Sequence, residues 1–243
     1  MKKIEVKRVN DIRAKIAEIL NKEEDLGEFS ANVKEDLIET YDEYDYEELY
    51  TDIYVMVKNI EDFYGDHSHP KAAALLESFL LETMVLLKED PEVIVVESGD
   101  FFCRSTSYTP DSEAVMHLFE NVVWINSMAE LYNQALIDVE LTPMDLGIGV
   151  VTFPREAISP ELEENRQPGS DIEFDYGIDF QNTAMKLAII ANTEGRESII
   201  VNDMAYDFLL EVDKAFFEAN LDKDYLKDEE MTVFHGNIVT DDI

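Results

Sequence analysis

Apolar residues at Ile12, Ile16, Ile19 and Leu20 recur at helical spacing, and Asn10 or Asp11 can cap their start, so the pattern predicts a helix over 10–22. From Ile53 it changes to a strand signature, Ile53-Tyr54-Val55-Met56-Val57, followed by a loop with Gly65 and Pro70. Lys71–Lys88 reads as a strongly apolar helix ended by Asp90-Pro91, and Val93–Val96 as a buried strand. Ser98-Gly99-Asp100 turns the chain into a second strand, Phe101–Ser107, making a hairpin. A long helix over Ser112–Leu136, capped by Asp111 or Ser112, precedes the strand Leu146–Val151. The order strand, helix, strand, strand, helix, strand over 53–151 is the βαββαβ pattern of a ferredoxin-like sheet. Beyond a polar irregular stretch at 154–171, the pattern gives a helix at Asn182–Ala191, a strand at Ser198–Val201, a helix at Asp203–Leu210 and a last strand at Met231–His235. Residues 23–48, where Tyr41, Tyr44 and Tyr46 stand among Asp and Glu, read as a solvated linker or an acidic helix.

Charge narrows the function classes. The 243 residues include 55 acidic and 19 basic ones, a net charge of −36, and residues 1–34 hold 8 of the 19. Nucleic acid is disfavoured as a partner, because phosphate contacts need cations to displace counterions. An anionic membrane surface is disfavoured for the same reason. With 46% apolar residues the chain can still bury a substantial core. Cys103 is the single cysteine, which excludes an intrachain disulfide and a cysteine zinc cluster. Charges recur through Arg13 without a signal core, and no apolar run reaches the ~18 residues of a membrane span, so a cytoplasmic location is expected.

Four segments, in order, resemble the class III nucleotide cyclase catalytic domain. They are Val55–Phe63 at the end of the first strand, Ser98-Gly99-Asp100-Phe101-Phe102 at the hairpin, the strand Leu146-Gly147-Ile148-Gly149-Val150, and Asp179–Leu187 at a helix start. Trp124–Met128, Glu197–Asp203 and His235–Val239 look most like the bacterial pyrimidine cyclases of the Pycsar antiphage systems. The resemblance implies an α/β (α+β) fold with a ferredoxin-like core over 50–243, preceded by an acidic helical extension at 1–49. It also implies a head-to-tail homodimer whose sites span both protomers. Active members of the family convert a nucleoside triphosphate to a 3′,5′-cyclic monophosphate that triggers a separate effector protein.

In that chemistry two metal ions, Mg or Mn, clamp the attacking ribose oxygen and the phosphates, and hard carboxylate oxygens are their natural holders. The resemblance assigns the two metal positions to Asp100 and Asn59, and Asn59 brings an amide in place of a negative charge. Asn182 matches the transition-state Asn that orients the ribose. Lys186 matches the transition-state Arg, keeping the cation without the bidentate fork. Asp179 matches a base-pocket position and could accept hydrogen bonds from a base amine, while the family's adenine-reading Lys is replaced by Val96. The departures point to a catalytically degenerate cyclase with a nucleotide-binding or regulatory role. The alternative is a divergent working cyclase acting on UTP or CTP, with Glu61, Asp62 or Glu97 as a substitute metal carboxylate.

Other candidates carry bland readings. His67 and His69, near Asp66, read as a polar loop, since a firm zinc site wants more ligands at defined geometry. His117 reads as a helix-face residue, Cys103 as a small buried hydrophobe and Trp124 as a core or dimer-interface residue. No Gly-x-Ser-x-Gly elbow or phosphate loop occurs.

Overall fold

The computed structural model describes residues 6–22, 34–37, 49–65, 69–154, 178–193, 196–220 and 232–240. In chain order these form helix α1 (Val6–Asn21), strands β1 (Lys34–Leu37) and β2 (Leu49–Val57), a short helix α2 (Glu61–Tyr64) and helix α3 (Pro70–Lys88). The hairpin β3 (Val93–Ser98) and β4 (Phe102–Thr109) follows, then helix α4 (Ser112–Asp138), strand β5 (Leu146–Pro154) and helix α5 (Ile178–Ile190). The remainder is β6 (Ile199–Asn202), α6 (Asp203–Phe208), α7 (Glu211–Lys214), β7 (Phe217–Asn220) and β8 (Val233–Gly236).

The strands form one sheet of eight in the order β1-β3-β4-β2-β5-β6-β8-β7. Its centre, β3-β4-β2-β5, is antiparallel throughout and has the ferredoxin-like order that the βαββαβ pattern predicts. β5 and β6 pair in parallel. Lys34–Leu37 is an edge strand on β3, where the sequence pattern gave a linker or acidic helix. Its residues, Lys-Glu-Asp-Leu, lack the apolar alternation by which a strand is read, and charged composition suits an edge.

Alternation along β2 sorts the core onto two faces. Ile53, Val55 and Val57 join the larger apolar cluster beneath α3 and α4, while Tyr50 and Tyr54 join a second cluster with α5. α1 adds its buried stripe, Val9, Ile12, Ile16 and Ile19, to the α3/α4 side. Three helix starts have side-chain caps: His69 Nδ1 accepts from the Lys71 N–H at 3.1 Å, Asp111 Oδ1 from the Ala114 N–H at 3.0 Å, and Asn202 Oδ1 from the Ala205 N–H at 3.1 Å. Among the described residues no helix is long and apolar enough to cross a membrane.

The tightest junction is between α5 and β5. A Cβ added at Gly147 would lie 2.0 Å from the Ala188 carbonyl oxygen, and one at Gly149 would lie 2.0 Å from that of Ala184. The helix therefore rests directly on the strand backbone. Gly149→Ala should lower stability by about 3 kcal/mol, the scale of overpacking against atoms that cannot yield. Urea unfolding measures this, and a variant as stable as the parent would show that α5 can lift away at little cost.

Candidate functional site

The chain leaves β2 through Lys58 and Asn59, and both side chains are engaged in joining loops. The Asn59 amide donates to Asp62 Oδ2 and to the Pro143 carbonyl, each at 3.0 Å, while its oxygen accepts from the Asp145 N–H at 2.8 Å. Lys58 bonds the Ala191 carbonyl at the end of α5 and pairs with Asp145 at 3.4 Å. Asp145 also accepts from the Asn192 amide at 2.8 Å. Asn59 is thus a clamp using both donor and acceptor, a combination that an ionised carboxylate cannot supply.

The hairpin brings Asp100 to this end of the sheet. The Val57 N–H bonds the Phe101 carbonyl at 2.8 Å, which sets the β3–β4 turn beside the end of β2. Asp100 is exposed. Its charge also reaches Tyr64 and Glu77, whose hydroxyl and carboxylate lie 3.4 Å apart. Burial is the main cause of the raised pKa of Glu77, and the like charge of Asp100 adds to it. Tyr64 is likewise pushed up, by burial first and then by Glu77 and Asp100. Glu77 and Asp145 were not legible as site neighbours, because nothing in the local pattern marks either one.

The second group of expected residues lies on α5. Lys186 is exposed on its third turn. Asp179 lies in the first turn and Asn182 begins the second, and their side chains lie outside the described residues. α5 runs antiparallel to β5, with Ala184 over Gly149 and Ala188 over Gly147. Lys58 meets Ala191, so position 182 stands nine residues away, about 14 Å along the helix axis. Within one chain the structure brings positions 59 and 100 together and holds position 182 apart from them.

Between these ends the α5-side face of the sheet carries stacked rings: Tyr54 on Phe102 at 5.3 Å and Tyr50 on Phe153 at 6.1 Å. Val96 is buried on the opposite face beneath α3, so the neighbouring Glu97, ion-paired with Arg104 across β4, is the polar residue at that level. Asp52, on the central strand, is buried, with the Thr106 hydroxyl as a weak hydrogen-bonding neighbour. Burial raises its pKa to about 6, against smaller lowering effects from Thr106 and Arg104. Asp52 directly precedes the apolar run that marks β2, and one acidic residue there gave no sign of its depth.

The remaining sequence candidates have structural settings. His69 caps α3, and Asp66 and His67 lie outside the described residues. His117 Nδ1 sits 3.2 Å from buried Asp90. Cys103 is buried, and its thiol is pushed up to about 12, mainly by that burial. Trp124 is buried in the α3/α4 cluster. The segments that suggested a subfamily meet at one knot. Ser198 Oγ donates to Asn126 at 2.9 Å, Asn126 donates to Asn237 at 2.7 Å, and the Thr240 N–H donates to Ser127 at 2.9 Å.

No protein-family model matches the sequence, and a search of curated proteins finds no significant match. Solved structures do match. The guanylyl cyclase Cya2 aligns with a TM-score of 0.55 at 11% identity, covering 79% of this chain and 93% of that one. The adenylyl cyclase CyaB from P. aeruginosa aligns at 0.53 with 10% identity, covering 87% and 99%. The guanylate cyclase domain of RhGC from Catenaria anguillulae, solved in complex with GTP, aligns at 0.51 with 16% identity, covering 80% and 98%. The chain has the fold of the class III nucleotide cyclase catalytic domain, and at these identities the likeness is one of fold.

Asp52 gives the fold a pH signature. Its pKa rises from 3.8 to about 6 on folding, so the folded chain holds this proton more tightly than the unfolded chain. Its contribution is most favourable below pH 4 and is lost as pH rises through 6, a change of roughly 3 kcal/mol. Asp52→Asn should therefore be the more stable protein at pH 7 to 8, with the advantage shrinking toward pH 4. Unfolding free energies across that range check this, and parallel curves would mean that the carboxylate is solvated.

Proposed function

We propose that this chain is a catalytically degenerate class III cyclase that keeps nucleotide binding and pairing with a second copy, and acts in regulation. The observation that carries this reading is the state of Asn59. It occupies the first metal position, brings no negative charge, and commits its amide and its oxygen to Asp62, Pro143 and Asp145. Two divalent ions require several carboxylate oxygens at fixed positions. Among the described residues, no group of three His, Cys, Asp or Glu side chains is placed to hold a metal ion. The residues present at Asn59 and Asp100 therefore fit a Mg or Mn pair poorly.

Nucleotide binding rests on the fold, on the GTP complex of one structural neighbour, and on α5. Lys186 would meet phosphate oxygens as a point charge, Asn182 would orient the ribose and Asp179 would read the base. Separation of position 182 from positions 59 and 100 supports a dimer, since a second copy arranged head to tail would supply what one chain holds apart. The likeness of Trp124–Met128, Glu197–Asp203 and His235–Val239 to Pycsar cyclases supports a role in antiphage cyclic-nucleotide signalling, in the cytoplasm.

A second reading is favoured by the surviving carboxylates at the hairpin end. Asp100 is exposed and Asp62 stands beside Asn59, so a working cyclase for UTP or CTP could gather metal there.

Incubation with each of the four ribonucleoside triphosphates and Mg²⁺ or Mn²⁺, followed by mass spectrometry, separates the two. The degenerate reading expects no cyclic monophosphate, with nucleotide binding weakened about tenfold by Lys186→Ala. A cyclic product that disappears in Asp100→Ala would overturn it and identify the base. Asn59→Asp should not create activity. It removes two hydrogen-bond donors and faces Asp62 with a like charge, so it should lower stability by about 1–3 kcal/mol. Thermal unfolding of that variant gives the check.

A further inference from the structure

A cavity of about 950 Å³ opens on the α3/α4 side of the sheet, at the upper end of the size range of small-molecule sites. α1, the second half of α3, the first half of α4, and residues 209–213 and 238–240 enclose it. Neither Asn59 nor Asp100 is among the described residues that line it, nor is any residue of α5, which packs on the opposite face of the sheet. Its interior is apolar and aromatic, with buried Ile12, Leu86, Phe119, Val123 and Trp124. Separate stretches of chain meet around it, a shape that suits a compact molecule.

The charges on its walls are answered within the chain. Arg8 pairs with Glu89, and Lys15 with Glu82 at 2.7 Å, along the α1–α3 wall. Asp90 accepts from the Asn121 amide at 2.7 Å and from the Glu92 N–H at 3.0 Å, with His117 Nδ1 at 3.2 Å. Glu120 has an interaction of its own. Burial raises the pKa of Asp213, and a positive charge of the chain opposes that rise. Lys7 and Asp11, of opposite sign, are exposed to solvent. An ion entering the apolar interior would lose its hydration and find its counter-charges already engaged.

One polar group does face the cavity without a partner. Trp124 lines it and is only 4% exposed. Among the described residues its indole N–H donates to nothing, although a buried indole N–H normally finds an acceptor. Its nitrogen is not sealed off either, so it keeps accessible surface on the opening that the ring lines. The interior thus presents one free donor among apolar side chains. Its complement is a molecule with an acceptor oxygen and no charge.

We propose that this cavity binds an uncharged, largely apolar small molecule whose carbonyl or ether oxygen accepts the Trp124 indole N–H, with its body against Ile12, Phe119 and Val123. The site is separate from the nucleotide-binding face and does not depend on whether the chain is a working cyclase.

Trp124 is the only tryptophan, so its emission reports occupancy of the cavity without a label. The test titrates the full chain with adamantanone, methyleneadamantane, adamantanamine and adamantanecarboxylate, which share one apolar body. Adamantanone should give a saturable change and bind at least about tenfold more tightly than the amine or the carboxylate. It should also shift the emission to the red of the methyleneadamantane complex, since an acceptor at the N–H stabilises the excited indole. In Trp124→Phe, followed by calorimetry and shown to be folded by its unfolding curve, the affinity ratio of ketone to hydrocarbon should fall about three- to tenfold, the worth of one neutral hydrogen bond. Where that variant does not fold, the red shift in the parent chain decides the same point. No saturable response to the ketone, a charged probe that binds as tightly, an unchanged ratio in the variant, or no red shift would each overturn the proposal.

Discussion

The contact of α5 with the backbone of β5 sets the geometry on which the rest of the functional face depends. Gly147 and Gly149 are two residues apart on a strand, an advance of about 6.6 Å, and Ala184 and Ala188 are four apart on a helix, an advance of about 6 Å. The two repeats nearly match, so both close approaches are made by one straight helix on one strand. Ile148 between the glycines faces the other way and is buried in the α3/α4 core. Absence of side chains on one face and a large side chain on the other thus hold β5 between its two layers. Once α5 is laid down antiparallel to β5, its first turn is committed to one end of the sheet and Ala191 to the other.

That commitment decides what a single chain can assemble. Lys58 ties the end of β2 to the end of α5, and Asn59 ties the same point to the loop before β5. The sheet end that carries Asn59 is therefore braced by backbone carbonyls and one amide, whereas position 182 at the start of α5 stands about two and a half helical turns away. A carboxylate at position 59 would need the surrounding loops to present cations or donors in place of the Pro143 carbonyl and Asp62. The neighbourhood is built around an amide, so a carboxylate at position 59 would disturb the loop geometry as well as the local charge.

The core topology was legible because each central element carries its own period. β2, β5 and α4 are long and apolar; α4 ends two residues beyond the reading, while β2 starts four residues earlier and β5 runs three residues further than the pattern gave. The edges were less legible. β1 and β7 are four residues each and mix charged with apolar positions, and α2 and α7 are single turns, too short for a period to emerge. Asn59 and Asp100 were singled out by resemblance alone, and beyond Asp62 the partners of Asn59 lie 84 and 86 residues away, where no local pattern connects them. The knot joining Asn126, Ser127, Ser198 and Asn237 shows the opposite case. Its three segments stood out separately in the sequence, and the structure supplies the reason, since each fills hydrogen bonds that the others leave open.

The two sheet faces also differ in what they tolerate. Beneath α3 and α4 the apolar cluster is continuous, and its buried carboxylate, Asp90, is held by an amide, a backbone N–H and a histidine. On the α5 side the centre of the sheet carries Asp52, whose burial Thr106 and Arg104 offset only in part, beside a Glu97–Arg104 pair and a row of rings. A buried carboxylate so weakly compensated is among the costlier features a core can hold, and an apolar residue of similar size would fold more stably there. Asp52 lies on the face that also bears α5 and the buried aromatic row, so the close packing of α5 on β5 and the protonation of Asp52 meet on one side of the sheet.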